Sequence, residues 1–305
     1  MKKTPLKLTI GSDPELMLLD SQRNKIVSSL RILKQTKEFP IILGDDTKMY
    51  ADNVLVEASF PPISLGGDMI SHLRNVFVKM QERLGARYKL LPQSSHVYED
   101  NELKYKVTKP DGKKVTAWDI GCNPNYDVYN RRMNLPAEFE NGLRTGSFHL
   151  HLGNEAYQTD REGKLMSMPN KEEAIKIMDV FVGCASVLFD NDKTSAARRK
   201  YYGKAGEFRP TPYGVEYRVL GNFSLRSPET TNLILDLTKH AMGHITNETS
   251  KDVLKIVKEE DVKSAINNND KEIAKKVLKK VSLPAELMAR ISKEYNPEFY
   301  SAWAI

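Results

Sequence analysis

The chain predicts a mixed α+β fold. Three observations lead there: short apolar or alternating runs that read as strands, stretches of 3.6-residue apolar periodicity set between them, and a last third patterned as helix. Residues 6–19 alternate or run apolar and read as strand, followed by a polar turn at Ser21-Gln22-Arg23-Asn24-Lys25. Asn53 to Ala58 is a second short strand, closed by Pro61-Pro62. Ile70, Leu73, Phe77, Met80 and Leu84 share one face of an amphipathic helix that Gly85 ends. Asp111-Gly112 marks a hairpin, and Gly121-Cys122-Asn123-Pro124-Asn125 reads as a loop. Thr145 to Gly153 alternates as a strand, and Lys171 to Phe189 is a helix with Asn170 and Glu173 spaced as a capping box. Residues 191–213 are rich in Arg, Lys, Tyr, Gly and Pro and show no periodicity. Gly214 to Gly221 is a strand, and Ser227-Pro228-Glu229 opens a helical region that runs to the end. The expected division is a core over 1–226 and a helical region over 227–305 packed on it. No internal repeat is visible.

Composition excludes several classes. At 40% hydrophobic and 28% charged residues, the chain is globular, neither disordered nor fibrous. No apolar run reaches the ~20 residues of a bilayer span, and the first residues do not form a signal peptide. Cys122 and Cys184 are far apart and lack zinc spacing, which favours a reducing, cytoplasmic setting. The net charge of +6 suits a polyanionic ligand or nucleic acid, but the lysines of the last third are interleaved with acids, the pattern of a solvated helix surface. Neither a Gly-x-Gly-x-x-Gly nor a P-loop motif is present.

Four clusters carry ligand-type residues. In Gly11-Ser12-Asp13-Pro14-Glu15, an extended chain points Asp13 and Glu15 to one side, about 6.5–7 Å apart. Two acids on an apolar strand need a pairing group or a cation. Glu57 is a single carboxylate in an otherwise apolar strand, with Asp45, Asp46 and Asp52 upstream as loop acids. His149 and His151 share a face of the Phe148–Leu152 strand, where imidazole suits a metal or a phosphate. The segment Arg198 to Pro210 then places Arg198, Arg199, Lys204 and Arg209 near glycine-freed backbone amides, which suits a triphosphate. Glu216 and Arg218 share a face of the next strand, so an acid can hold a cation while the guanidinium takes a phosphoryl oxygen. Each cluster alone also reads as ordinary surface: a strand end, a paired edge acid, two surface histidines, a basic loop with a salt pair.

Their order changes that balance. Strand acid, second strand acid, His-x-His strand, arginine-rich loop and Glu-x-Arg strand resemble the layout of glutamine synthetase. Gly-Ser-Asp-Pro-Glu, Gly-Cys-Asn-Pro, Phe-His-Leu-His-Leu-Gly and Tyr-Gly-Lys-Ala-Gly-Glu-Phe-Arg followed by Gly-Val-Glu-Tyr-Arg are similar to the phage-type carboxylate–amine ligases, the type 2 amidoligase group related to glutamate–cysteine ligase. The resemblance spans roughly residues 8–225. It departs from glutamine synthetase in Asp13, where that family has Glu, and in the single second-strand glutamate Glu57.

The resemblance implies a glutamine-synthetase-like curved, mainly antiparallel sheet with helices on its convex face. It implies an ATP- and magnesium-dependent ligase, served by Mg2+ or Mn2+, that forms an acyl phosphate and then an amide. Glu15 and Glu57 are expected on one ion, His149 and Glu216 on another. Arg218 and Arg209 would grip the γ-phosphoryl, with Arg198, Arg199 and Lys204 as further phosphate contacts; His151 and Asp13 would face the substrate. The partners are a small-molecule or peptide carboxylate and an amine, with no membrane and no indicated nucleic acid, in the host-cell cytoplasm for a phage-encoded protein. A guanidino-kinase-like phosphotransferase and a non-enzymatic nucleic-acid-binding protein are the rival readings.

Overall fold

The computed structural model describes residues 7–109, 111–118, 125–134, 141–154, 171–293, 295 and 298–305. Most of the predicted 121–125 loop and the Asn170 half of the capping box lie outside them. The fold is mixed α/β, and every strand pairing among the described residues is antiparallel.

The single N-terminal strand expected from the sequence is two strands. Leu8–Ser12 and Glu15–Asp20 are separated at Asp13-Pro14 and belong to different sheets. Proline has no amide hydrogen to give a ladder, so it fits where a chain leaves one sheet for another. The first sheet has seven strands, ordered Arg132–Met133, Tyr126–Asp127, Glu207–Pro210, Gly214–Tyr217, Leu150–Asn154, Leu8–Ser12 and Ile63–Ser64. The second runs Lys25–Val27, Glu15–Asp20, Leu55–Ser59, Thr47–Asp52 and Ile41–Gly44, with Tyr88–Leu91 also paired to Glu15–Asp20. The junction is tied down on both sides: the Glu15 amide donates to the Ser147 carbonyl, and the Ala58 amide donates to the Pro14 carbonyl.

Helices behave largely as their periodicity dictates. Met69–Leu84 is capped by the Asp68 side chain and ends at Gly85, whose φ of 72° suits glycine. The predicted Asp111-Gly112 hairpin joins Lys106–Thr108 to Lys114–Thr116. The helix expected over 171–189 contains a π turn, Asp179–Gly183, between Lys171–Met178 and Cys184–Phe189. Ser227 caps Pro228–Thr246 through the Thr230 amide. The aperiodic 191–213 stretch hides a seven-residue helix, Ser195–Tyr201, and the Glu207–Pro210 strand, neither of which its composition reveals.

The C-terminal helices pack on the 171–189 helix and reach back to the first half of the chain. Trp303 is buried against Phe77 and Phe299, and its indole donates to the Leu225 carbonyl. The Arg74 side chain donates to the Trp303 carbonyl, and the Tyr300 hydroxyl donates to Gln81. Among the described residues no helix is long and apolar enough to cross a membrane.

Candidate active site

The Ser12–Glu15 junction is where the two sheets present their acids to each other. Register in the seven-stranded sheet aligns Gly11, His151, Glu216 and Arg209 in one row across neighbouring strands. Register in the other aligns Glu15, Glu57 and Tyr50. Asp13 and Glu15 therefore join different groups, a correction to the one-face reading. Asp13, His149 and Glu216 bring ligand atoms within 4.8 Å of one another, and so do Glu15, Asp52 and Glu57. His149 adjoins both groups, its Nδ1 standing 3.4 Å from Glu216 Oε1 and 3.9 Å from Glu15 Oε1. The four expected ligands Glu15, Glu57, His149 and Glu216 thus converge, and Asp13 stands among them.

The electrostatics of the two groups differ. Glu15 and Glu57 face each other directly, a like-charge pair that destabilises a sheet without a counter-ion. Burial, then mutual repulsion with neighbouring acids, pushes both carboxyls well above the usual range. The Tyr50 hydroxyl donates to Glu57, and Lys37 Nζ stands 3.6 Å from the same carboxylate. In the other group, burial and the charge of Asp13 push Glu216 up to about 7. Burial opposes ionisation of Asp13, but its two histidines hold it well below the usual range.

The histidines are tuned in opposite directions. Burial, aided by Arg218, lowers His149 to about 3, so it is a neutral imidazole. Its Nε2 meets the Tyr202 hydroxyl at 3.3 Å, which leaves Nδ1 turned to the acids. A ring whose far nitrogen is held by a neighbour is the usual setting of a metal-binding histidine. His151 is raised, because attraction to Asp13 more than offsets burial. Its Nδ1 contacts Tyr213 at 2.6 Å and its Nε2 lies 3.0 Å from Asp13 Oδ1. Yet Asp13 Oδ1, His149 Nδ1 and His151 Nε2 are buried without an aligned hydrogen bond. A cation beside Asp13 and the neutral His149 would satisfy the first two, with Glu216 as third ligand, so these residues fit a divalent metal.

The cations divide into those that reach the acids and those that do not. Arg218 donates to Glu216 Oε1, and Arg209 Nη1 stands 3.1 Å from Glu216 Oε2, so one carboxylate orients both expected phosphate grips. Arg198 does not face the site. Its buried guanidinium donates to Ser147 Oγ and to the Val219 and Arg218 carbonyls. Gly203 (φ 76°) is obligatory beneath it, since a Cβ there would lie 1.8 Å from Arg198 Nη1. Arg199 turns away to Asp190 and Asn269. Tyr202 carries Arg198 and Arg218 at 5.2 and 5.0 Å from its ring and holds His149 by its hydroxyl.

The expected phosphate cradle at 203–206 is already filled by the chain. Glu207 Oε2 accepts from the Gly203 and Lys204 amides, Asn267 from Ala205, and Asp179 from Gly206. Glu207 also accepts from Asn125 and Asn134. The amides that glycine frees are consumed inside the protein, and the Lys204 side chain is left exposed at the turn. Sequence reading places free backbone amides in this loop, takes Asp52 for a loop acid, and does not single out Tyr202, Tyr213 or Lys37 beside the acids. The only signal for Asp52 was the Asp-Asn-Val turn that pairs it with Leu55.

Residues 147–295 match the family model of the phage phiEco32-like COOH.NH2 ligases, type 2. The match takes in His149, His151, Arg209, Glu216 and Arg218 and continues through the C-terminal helices up to but not including Phe299–Trp303, further than the resemblance drawn from motifs alone. It leaves out the strands of Asp13, Glu15, Asp52 and Glu57. No curated protein matches the chain. From Ser147 to Tyr295 the chain carries the pattern of the phage-type carboxylate–amine ligases, which bears out the resemblance read from its His-x-His and Glu-x-Arg strands.

Proposed function

We propose that the protein is an ATP- and magnesium-dependent ligase that activates a carboxylate as an acyl phosphate and joins it to an amine, on a glutamine-synthetase-like scaffold. One observation carries this reading: two adjoining groups of three ligand-type residues, with Arg209 and Arg218 both set on the glutamate of one group. A divalent ion held by Asp13, His149 and Glu216, and another by Glu15, Asp52 and Glu57, would supply charge neutralisation for phosphates. His149 in the donor set also admits Mn2+.

The chain's own residues account for the rest. Glu216 aims the planar fork of Arg218, and that fork matches the equatorial oxygens where charge grows as a phosphoryl group moves. Arg198 and Tyr202 lock Arg218 from behind, so the donor is preorganised. The substrate carboxylate attacks the γ-phosphorus and ADP leaves; an amine then attacks the acyl carbon and phosphate leaves. The inward-turned Arg198 and Arg199 weaken the nucleic-acid-binding alternative, because the loop's charge is spent on structure.

Untargeted mass spectrometry of a lysate incubated with the protein, ATP and Mg2+ identifies the amide. ADP, phosphate and amide are then measured for wild type and Arg218→Lys. The variant keeps the charge but loses the fork, and product formation should fall about 10²-fold, the effect of one preorganised donor. Equal rates would remove Arg218 from the mechanism. Phosphoryl transfer without amide would favour a phosphotransferase.

A further inference from the structure

Lys37 has no place in the motifs described so far. It lies between the short helix Leu30–Leu33 and the Ile41–Gly44 strand, in a segment fixed by its backbone. The Ala51 amide, next to Asp52, donates to the Gln35 carbonyl, and the Phe39 amide donates to the Thr36 carbonyl. Thr36 and Lys109 both hold Glu38. The tether is therefore set while the side chain is not, being 68% exposed. Its ammonium stands 3.6 Å from Glu57 and is also drawn by Asp13, Asp52 and Glu216, members of both acid groups.

The other cations at the acids are fixed. Arg218 is buried and Arg209 is mostly covered, each paired to Glu216. Lys37 alone among these three reaches the acids from solvent on a flexible stem. Two divalent ions would add four positive charges to a site whose five carboxylates already face Lys37, Arg209 and Arg218. The result is a surplus of two positive charges before His151 is counted. Lys37 then has no reason to stay on Glu57, and a polyphosphate matches the surplus better than a single carboxylate does.

We propose that Lys37 is the tethered counter-ion of the metal-free site, displaced from Glu57 when divalent ions bind and then placed on the phosphate chain of the nucleotide. This rests on the ligase reading only in its second half; the competition with metal stands without ATP.

The test compares wild type, Lys37→Ala and Lys37→Arg, with Lys48→Ala as a surface-charge control. Mn2+ binding is followed by calorimetry and by the loss of the free-ion electron paramagnetic resonance signal. Lys37→Ala should bind Mn2+ about fivefold more tightly, near the upper limit for one solvent-exposed charge pair. With Mn2+ saturating, the same variant should bind ATP about tenfold more weakly, as expected for loss of one charged hydrogen bond. Lys37→Arg should resemble wild type in both, and Lys48→Ala should change neither. Unchanged or weaker Mn2+ binding in Lys37→Ala overturns the counter-ion role. Tighter Mn2+ binding with unchanged ATP affinity overturns the phosphate role. Wild type that binds Mn2+ but no ATP refutes the ligase reading instead, and the Mn2+ comparison still decides the counter-ion role.

Discussion

The sheet junction at Ser12–Glu15 and the turn at Gly203–Gly206 both concentrate charge, but they pair it differently. At the turn, Glu207, Asn267 and Asp179 satisfy four successive backbone amides. At the junction, two groups of acids stand together, and Asp13 Oδ1 and His149 Nδ1 are buried without an aligned partner. A glycine-rich basic loop is commonly taken as the phosphate site, yet its donors here are spent. Buried polar atoms without an aligned hydrogen bond suit a ligand there, because a buried polar atom left unpaired destabilises by ~1–3 kcal/mol.

This contrast can be broken at either end. The largest effect is expected at the junction. Glu57→Gln, and separately Glu15→Gln, keeps the size of the side chain but removes a ligand charge, and either should abolish ATP turnover. Circular dichroism should show an intact fold with a melting temperature no lower than that of the metal-free wild type, since the change also relieves the facing pair. A variant that unfolds would mean that the acids hold the sheets together and do not serve a ligand.

Arg198→Lys tests the opposite claim. Its guanidinium donates to three acceptors under the site, so the variant should lose ~2–4 kcal/mol of stability, read by chemical denaturation. A raised KM for ATP with unchanged stability would return Arg198 to the phosphates.

The pH dependence follows from the raised carboxyls. Glu15, Glu57 and Glu216 have folded values above their unfolded ones, so in the metal-free protein they weigh against folding increasingly as pH rises above about 4.5, Glu216 doing so up to about 7. An added divalent ion binds the ionised forms. Its stabilisation should therefore be larger at pH 8 than at pH 5.5, by about 3 °C in Tm at millimolar Mn2+. An ion effect independent of pH would show that the metal binds elsewhere. The smallest change is expected for Lys204→Ala, which should alter the KM for ATP by less than about threefold, as for an exposed charge.

How much of this was legible follows from where each residue sits. Glu15, Glu57 and Glu216 were readable because each is a polar residue of an otherwise apolar strand. His149 falls in the predicted Thr145 to Gly153 strand, which the structure breaks into Leu143–Thr145 in another sheet and Leu150–Asn154, leaving His149 just before the second. Asp52 was not, because its position beside Glu57 depends on a tight turn at Asn53 (φ 59°) and on hairpin register. Arg198 and Arg199 were misread because a seven-residue helix is too short to show a period, and its direction decides which way the guanidiniums turn. The division of Asp13 from Glu15 was hidden for a different reason: it depends on which strands pair with each half of the N-terminal run, a tertiary choice.

Pro14 gives that division a consequence for change over time. The residues on either side of it are locked to separate ladders, Ser12 to Leu150 and Glu15 to Glu57. Adding or removing one residue there would turn every side chain of one ladder over, putting the Glu15 carboxylate where Leu16 is buried and taking it from beside Glu57. Packing and chemistry would fail in the same event, and no second substitution nearby could restore one without the other. Length at this point is thus as constrained as identity, and insertions that survive in related chains should fall in the hairpin tips and leave the four residues from Ser12 to Glu15 unbroken.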